Sequence, residues 1–313
     1  MWVLHQLSET RRHKTRTGAV PSIDPQSQPS SAEKAKAPRA QVGSAWGFSP
    51  EEINRFPALR RRNFWCIQRH QARALHYDLR MQLDGSTVSW AIPKGLLGIS
   101  KRKEAHRLAV ETTLHPNSYT THEGSDGRTL PSGLRGGTLL WDVGYYLITP
   151  KPQEDDGMET DNEDMTRKRR RMQYGDDESD GLGADHESAF RRAFHKHPRA
   201  GGVKSIHFTL TGGRKMTDHT FILILPSSNS RSIGYESSGR VKKTWFISLP
   251  RGVEEYSWGP EGEEGAQYGR SVKTGRTLRE VCNSTPYIWQ PWPNEPVEWA
   301  DARREIDATD RVS

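Results

Sequence analysis

Two cysteines, Cys66 and Cys282, are all that this 313-residue chain contains. So few exclude a disulfide-stapled scaffold and a cysteine-ligated zinc site, and a pair of reduced thiols is expected. Long apolar runs are also missing. No stretch approaches the roughly 20 residues that cross a bilayer, and the apolar start from Met1 to Leu7 is too short for a secretory hydrophobic region. No membrane partner is therefore expected. Hydrophobic residues make up 33% of the chain and mean hydropathy is −0.86, too polar for one compact domain over the full length. What the chain holds in excess is positive charge, 46 Lys and Arg against 39 Asp and Glu, a net +7. That balance favours a polyanionic partner, nucleic acid first.

The composition shifts along the chain divide it into five parts. Residues 1–47 read as a disordered basic tail, for which a mitochondrial presequence is the lesser alternative. Residues 48–150 read as the first part of a folded core. It opens on a helix start with Ser49 as N-cap, Pro50 at the first helical position and Glu52 three residues on. Residues 151–187 read as a disordered charged insertion in which acidic patches flank the run Arg167–Arg171, a nuclear import signal by composition. Residues 188–251 supply a short helix near Ser188–His195 and the closing strands Ser205–Thr211, Thr220–Leu225 and Lys243–Leu249. Residues 252–313 read as a mostly irregular extension, with Tyr287, Trp289, Trp292 and Trp299, that wraps the core as an arm.

Upstream strands are expected at Phe64–Gln68 and Arg107–Glu111. A second hairpin is expected from Thr138–Trp141 and Tyr145–Ile148, with Asp142, Val143 and Gly144 as its turn. Many short strands and few short helices predict a mainly β fold, a compact antiparallel β-barrel-like domain with disordered extensions.

The chemistry concentrates between His70 and Lys94. Asp84-Gly85 is a strong two-residue hairpin turn, since both positions favour positive φ. Centring the turn there pairs Met81 with Val88, Leu79 with Trp90 and Tyr77 with Ile92 on an apolar face. His76, Asp78, Arg80 and Gln82 line the other face, with Ser89 opposite Arg80 and Ala91 opposite Asp78, small partners that leave open space above the charged row. His76 and Asp78 can reach one ion, and His70 arrives from the preceding bend. Spacing alone is equally consistent with a solvated polar row. Arg80, Lys94, Arg107 and His115 form a second set suited to phosphate oxygens, although strict alternation puts Lys94 on the opposite face. A basic surface without catalysis accounts for that set as well.

In order along the chain stand Arg69-His70-Gln71-Ala72-Arg73-Ala74-Leu75-His76-Tyr77-Asp78-Leu79-Arg80, Leu83-Asp84-Gly85, Ser89-Trp90-Ala91-Ile92-Pro93-Lys94-Gly95, Arg107-Leu108-Ala109-Val110, His115-Pro116, Tyr119, Glu123-Gly124 and Trp141-Asp142. This series resembles the 3′-phosphoesterase domain of DNA ligase D, densely over residues 64–142 and more weakly over 207–249. The resemblance implies a β-barrel and a manganese-dependent activity that converts 3′-ribonucleotide or 3′-phosphate ends of DNA to 3′-hydroxyls during repair. It implies His70, His76 and Asp78 as metal ligands. Arg80, Lys94, Arg107 and His115 would bind the substrate phosphate, with His115, Arg80 and Tyr119 as the catalytic group. The implied partners are DNA or RNA-containing 3′ ends and a DNA ligase or end-joining complex. The family's acidic pair before His115 is replaced by Thr113 and Leu114, and Arg135 stands in an altered loop. These changes keep a second reading open, a non-catalytic end-binding factor that retains the pocket; a phosphatase for small phosphate esters is a third. No ligase or polymerase motif is visible, so a free-standing module is expected, of eukaryotic, fungal style in its low-complexity insertion and basic tail, and nuclear in location.

Overall fold

The computed structural model describes residues 46–149, 183–196, 203–226 and 243–286. Twelve strands occur in order: β1 (Phe64–Gln71), β2 (Leu75–Leu83), β3 (Ser86–Ile92), β4 (Ile99–Ser100), β5 (Arg107–Glu111), β6 (His115–Pro116), β7 (Gly124–Thr129), β8 (Arg135–Ile148), β9 (Lys204–Thr211), β10 (His219–Leu225), β11 (Thr244–Ser248) and β12 (Glu255–Tyr256). Helices are α1 (Pro50–Arg55), α2 (Ala184–His195) and α3 (Leu278–Cys282), with single 3-10 turns at Pro57–Arg60 and Asn117–Thr121. Strands β1, β2, β3, β5, β11, β10, β9 and β8 pair antiparallel in that order, and β8 pairs back onto β1. Eight strands thus close a barrel, which removes the open sheet edges that invite aggregation.

Alternation along the strands sends one set of side chains inward. Ile67, Leu79, Met81, Trp90, Phe208, Phe221 and Trp245 are all fully buried in one core. At the Asp84-Gly85 end the barrel is plugged by α2. Its Phe190 packs between Trp90 and Tyr146, and its buried Glu187 accepts hydrogen bonds from the Asp84 amide (3.0 Å) and Gln82 Nε2 (3.2 Å). At the opposite end Trp258 and Tyr268 pack on Tyr77 and Trp141. On the outer face, Phe48, Ile53 and Phe56 from the N-terminal segment join Phe64, Cys66, Leu140 and Val272 in a second apolar cluster. The α1 start has the expected capping box, with Glu52 N donating to Ser49 Oγ and Ser49 N to Glu52 Oε2.

The Asp84-Gly85 hairpin forms with the expected register and positive φ at both turn residues. Both cysteines are free and buried. Other expectations are corrected. Residues 135–148 form one continuous strand, not a hairpin. Gly144 is there because the Thr211 carbonyl and the Trp65 ring lie on it, both within 2.6 Å of where a Cβ would stand. The acidic carboxylate of Asp142 faces inward to accept three backbone amides, of Arg214, Lys215 and Met216 (2.8–3.0 Å). Residues 124–129 add a further strand that pairs with β8. Helix α2 begins at Ala184, inside the stretch assigned to the insertion, with Gly183 in the left-handed conformation just before it. Residues 252–286 form a strap whose regular elements are only β12 and α3, with Leu278, Val281 and Cys282 in the main core. The basic tail, Arg167–Arg171 and the aromatic residues Tyr287, Trp289, Trp292 and Trp299 lie outside the described residues.

Candidate metal and phosphate site

Strand β1 runs through Gln71, so His70 sits in the sheet directly opposite His76 on β2 rather than on a bend. Their rings meet edge to face with centroids 5.0 Å apart. Asp78 lies two residues further along the same face of β2. His76 Nε2 is 3.4 Å from Asp78 Oδ1, and His70 Nδ1 is 4.0 Å from Oδ2. One ligand atom from each of the three lies within 4.8 Å of the others. The site residues alternate with the core residues Tyr77, Leu79 and Met81, so they occupy the outer face of the barrel wall.

Asp78 and Arg80 are 4% and 3% exposed; the row is not open to solvent as the small partners Ser89 and Ala91 suggested. A covering layer formed by residues 115–122 lies over it. His115, Tyr119 and His122 stack in a column, with ring centroids 5.4 and 4.8 Å apart. The Arg80 guanidinium sits 5.1 Å from the Tyr119 ring centre. Arg80 is held from three directions: Nε donates to Gln68 Oε1 (2.6 Å), Nη1 to Ser89 Oγ (3.0 Å) and Nη2 to Asp78 Oδ2 (2.8 Å). Fully buried Gln68 also donates Nε2 to the Tyr119 and His122 carbonyls (3.0 and 3.1 Å). It therefore ties the covering layer to Arg80. Gln68 and His122 were missed in the sequence; extending the period-two face from His70 back along β1 would have found Gln68.

The charges follow from this packing. Burial pushes the Asp78 carboxyl up, but Arg80 first and then His76 and His70 hold it well below the usual carboxylate range. Burial pushes His76 down, and Asp78 more than compensates, leaving it raised. Burial, reinforced by Arg80, holds His115 well below the usual imidazole range. His122 is lowered to about 3 by burial, with Lys273, Arg80 and His70 adding to it. Neutral imidazoles thus cover an ionised carboxylate.

These residues fit a divalent cation. Asp78 Oδ1 is buried and lacks a well-formed hydrogen bond, an arrangement costly for a carboxylate unless a cation takes the oxygen. His76 Nδ1 lies 2.8 Å from the Ala74 carbonyl. A proton there leaves the Nε2 lone pair directed at the Asp78 side, as a backbone carbonyl orients a metal-binding imidazole. The oxygen–nitrogen donor set suits manganese, zinc or iron.

Two expected phosphate ligands are arranged differently. The Lys94 side chain is 71% exposed and pairs with Glu104 (3.1 Å). Arg107 is buried. Its Nη1 donates to the Lys94, Gly95 and Leu97 carbonyls at 2.7–3.0 Å, its Nη2 bonds the Gly98 carbonyl at 2.5 Å, and its Nε bonds Glu104. With its donors so engaged, Arg107 anchors the loop that carries Lys94 instead of facing a phosphate. Neither residue contacts the His70, His76, Asp78 and Arg80 group. His115 and Tyr119 are brought over that group, as the covering layer.

A closed antiparallel barrel carrying a histidine–carboxylate–guanidinium cluster on its outer wall, with His70, His76 and Asp78 grouped closely enough to share one ion, defines the class of protein. Residues 68–222, just under half of the chain, match the family model of the DNA ligase D 3′-phosphoesterase domain. The chain is 40% identical over 92 residues to the multifunctional non-homologous end joining protein LigD of Pseudomonas aeruginosa, covering 29% of this chain and 10% of that protein. It is 42% identical over 86 residues to the multifunctional non-homologous end joining DNA repair protein LigD of Mycobacterium tuberculosis, covering 27% and 10%. With LigD of Mycolicibacterium smegmatis it shares 40% over 99 residues, covering 31% and 12%. The chain thus spans about one tenth of the length of these relatives.

Proposed function

We propose that this protein is a divalent-metal-dependent phosphoesterase that converts 3′-phosphate or 3′-ribonucleotide ends of DNA to 3′-hydroxyls during end-joining repair, with manganese as the ion. The supporting observation is the buried Asp78 carboxylate, whose Oδ1 lacks a well-formed hydrogen bond and faces two imidazoles, in a chain whose residues 68–222 match the 3′-phosphoesterase family model. His70, His76 and Asp78 would hold the ion. Bound there, it would supply Lewis-acid polarisation of a phosphoryl oxygen.

The chain's own groups do the rest. Arg80 has N–H groups left after its three bonds, and its rigid position on Gln68 and Ser89 means they are aimed before substrate arrives. His115 is neutral, so its part is to donate one N–H to a phosphate oxygen; a neutral ring is a poor proton source for a leaving group. Tyr119 excludes water from the Arg80 face. Lys94, loosely paired on the surface, can turn from Glu104 to an incoming phosphate while Arg107 keeps its loop in place. The run Arg167–Arg171 would direct such a module to the nucleus, tested by deleting it in a tagged protein and observing where the label goes.

The deciding experiment incubates the protein with a primer-template bearing a 3′-phosphate or one 3′-ribonucleotide, with manganese or with chelator. Product ending in 3′-hydroxyl is expected with manganese alone. Retained end binding with no product under any divalent ion would overturn catalysis and establish the end-binding reading, for which Thr113 and Leu114 in place of acidic residues speak.

A further inference from the structure

Beside the covering layer, two arginines from distant parts of the chain converge on one oxygen. Arg55 Nη2 from α1 and Arg214 Nη1 from the β9–β10 turn both donate to the Val272 carbonyl, at 3.2 and 3.4 Å. Both residues are exposed, and among the described residues neither forms an ion pair with a carboxylate. Holding two like charges on one neutral carbonyl is unfavourable, and it leaves most of their forked N–H donors unused. The next residue adds a third cation: Lys273 Nζ donates to the Thr121 carbonyl (2.8 Å) and pairs with Glu52 (3.4 Å). Thr121 belongs to the layer over Arg80, and Val272 N is bonded to the Leu140 carbonyl, on the strand residue paired with Gln68. A basic path therefore leads from the Arg80 centre, past Lys273, to the Arg55–Arg214 pair. Glu51 and Glu52 are the acidic residues of α1 beside this path, and Glu52 is already matched by Lys273.

We infer that Arg55 and Arg214 form a clamp for a backbone phosphate of the nucleic acid strand flanking the 3′ end, on the strap side of the barrel. A phosphodiester carries one negative charge and two free oxygens, which paired guanidinium forks complement in sign and geometry. Arg55 and Val272 both lie outside residues 68–222, so the clamp is assembled by the N-terminal helix and the C-terminal strap around the family core. The inference rests on the function proposed above, and it adds what positions the substrate beyond its terminal phosphate.

Binding of a primer-template is measured over a range of salt for wild type, Arg55→Gln, Arg214→Gln and the double variant. Turnover of a mononucleoside 3′-phosphate, which has no flanking backbone, is followed in parallel. The double variant is expected to bind roughly tenfold more weakly whatever the sequence, with the slope of log affinity against log salt reduced by about 1. Mononucleotide turnover should stay at the wild-type level, which also certifies the fold. A double variant with unchanged affinity and slope would overturn the clamp alone. A wild type that neither binds nor processes 3′ ends would overturn the proposed function and the clamp together.

Discussion

Asp78 serves two masters: Oδ2 neutralises buried Arg80, while Oδ1 is free for an ion. His76, partly exposed at the strand edge, serves only one. Replacing the two should therefore separate folding from metal binding. Asp78→Ala strands the Arg80 guanidinium in a buried setting, and a loss of about 3–5 kcal/mol in unfolding free energy is expected. His76→Ala should lose less than about 1.5 kcal/mol, yet turnover should vanish in both. Urea unfolding of the metal-free proteins checks the first statement. The manganese-induced rise in melting temperature, present in wild type and absent in both variants, checks the second. Equal destabilisation by the two substitutions would show that the Asp78–Arg80 pair does not carry the site's stability. At this scale the sequence was readable where alternation and a local turn suffice: Asp84-Gly85 placed His76, Asp78 and Arg80 on one face. The fate of Arg107 was not readable, because four carbonyls of residues 94–98 converge on it only after the loop folds.

Among the elements, β8 shows how a local signal misleads. Asp142-Val143-Gly144 has turn composition, yet both turn-forming residues answer tertiary demands: Asp142 caps the 213–216 turn and Gly144 admits the Trp65 ring. Gly144→Ala should therefore lower the melting temperature by many degrees, since its new Cβ meets a ring that cannot retreat within a packed wall. A melt within about 2 °C of wild type would contradict the close approach. The strap depends on another buried carboxylate. Glu123 accepts from the Leu140 amide (3.0 Å) and Arg276 (3.3 Å), and is also bonded by the Ser271 and Thr274 hydroxyls. Glu123→Ala should release residues 271–276, read as trypsin cleavage after Lys273 or Arg276 several-fold faster than in wild type. Unchanged cleavage would mean that the apolar contacts of Val272 and Leu278 hold the strap without it. The strap was read from sequence as irregular because its order comes from docking on β7 and β8, not from periodicity of its own.

For the whole molecule, the covering layer predicts sensitivity to acid. His122, lowered to about 3, and His115, also lowered, are neutral in the folded protein and ordinary imidazoles near 6.5 when unfolded. Folded values below unfolded ones mean that the unfolded chain takes up protons first. The stability they support is complete above about pH 6.5 and is lost as pH falls toward the folded values. His76 is raised, so it runs the other way: its contribution is present below about pH 6.5 and is lost as pH rises through its folded value. Asp78 changes nothing in this window, because its lowered carboxyl gives up its contribution only below the unfolded carboxylate range, near pH 4. Below about pH 6.5 His76 is protonated in both states and adds no slope, so His115 and His122 leave a net of about two protons. The unfolding free energy of the metal-free protein should thus fall by about 2.7 kcal/mol per pH unit between roughly pH 6 and 4.5. Half-buried His219, also lowered, steepens the trend in the same sense. His122→Phe preserves the stack on Tyr119 and removes one titrating ring, so about half of that slope should disappear while stability at pH 7.5 changes little. Urea unfolding at a series of pH values reads both numbers. A slope that survives His122→Phe unaltered would place the acid sensitivity elsewhere in the protein and remove the neutral covering column as its source.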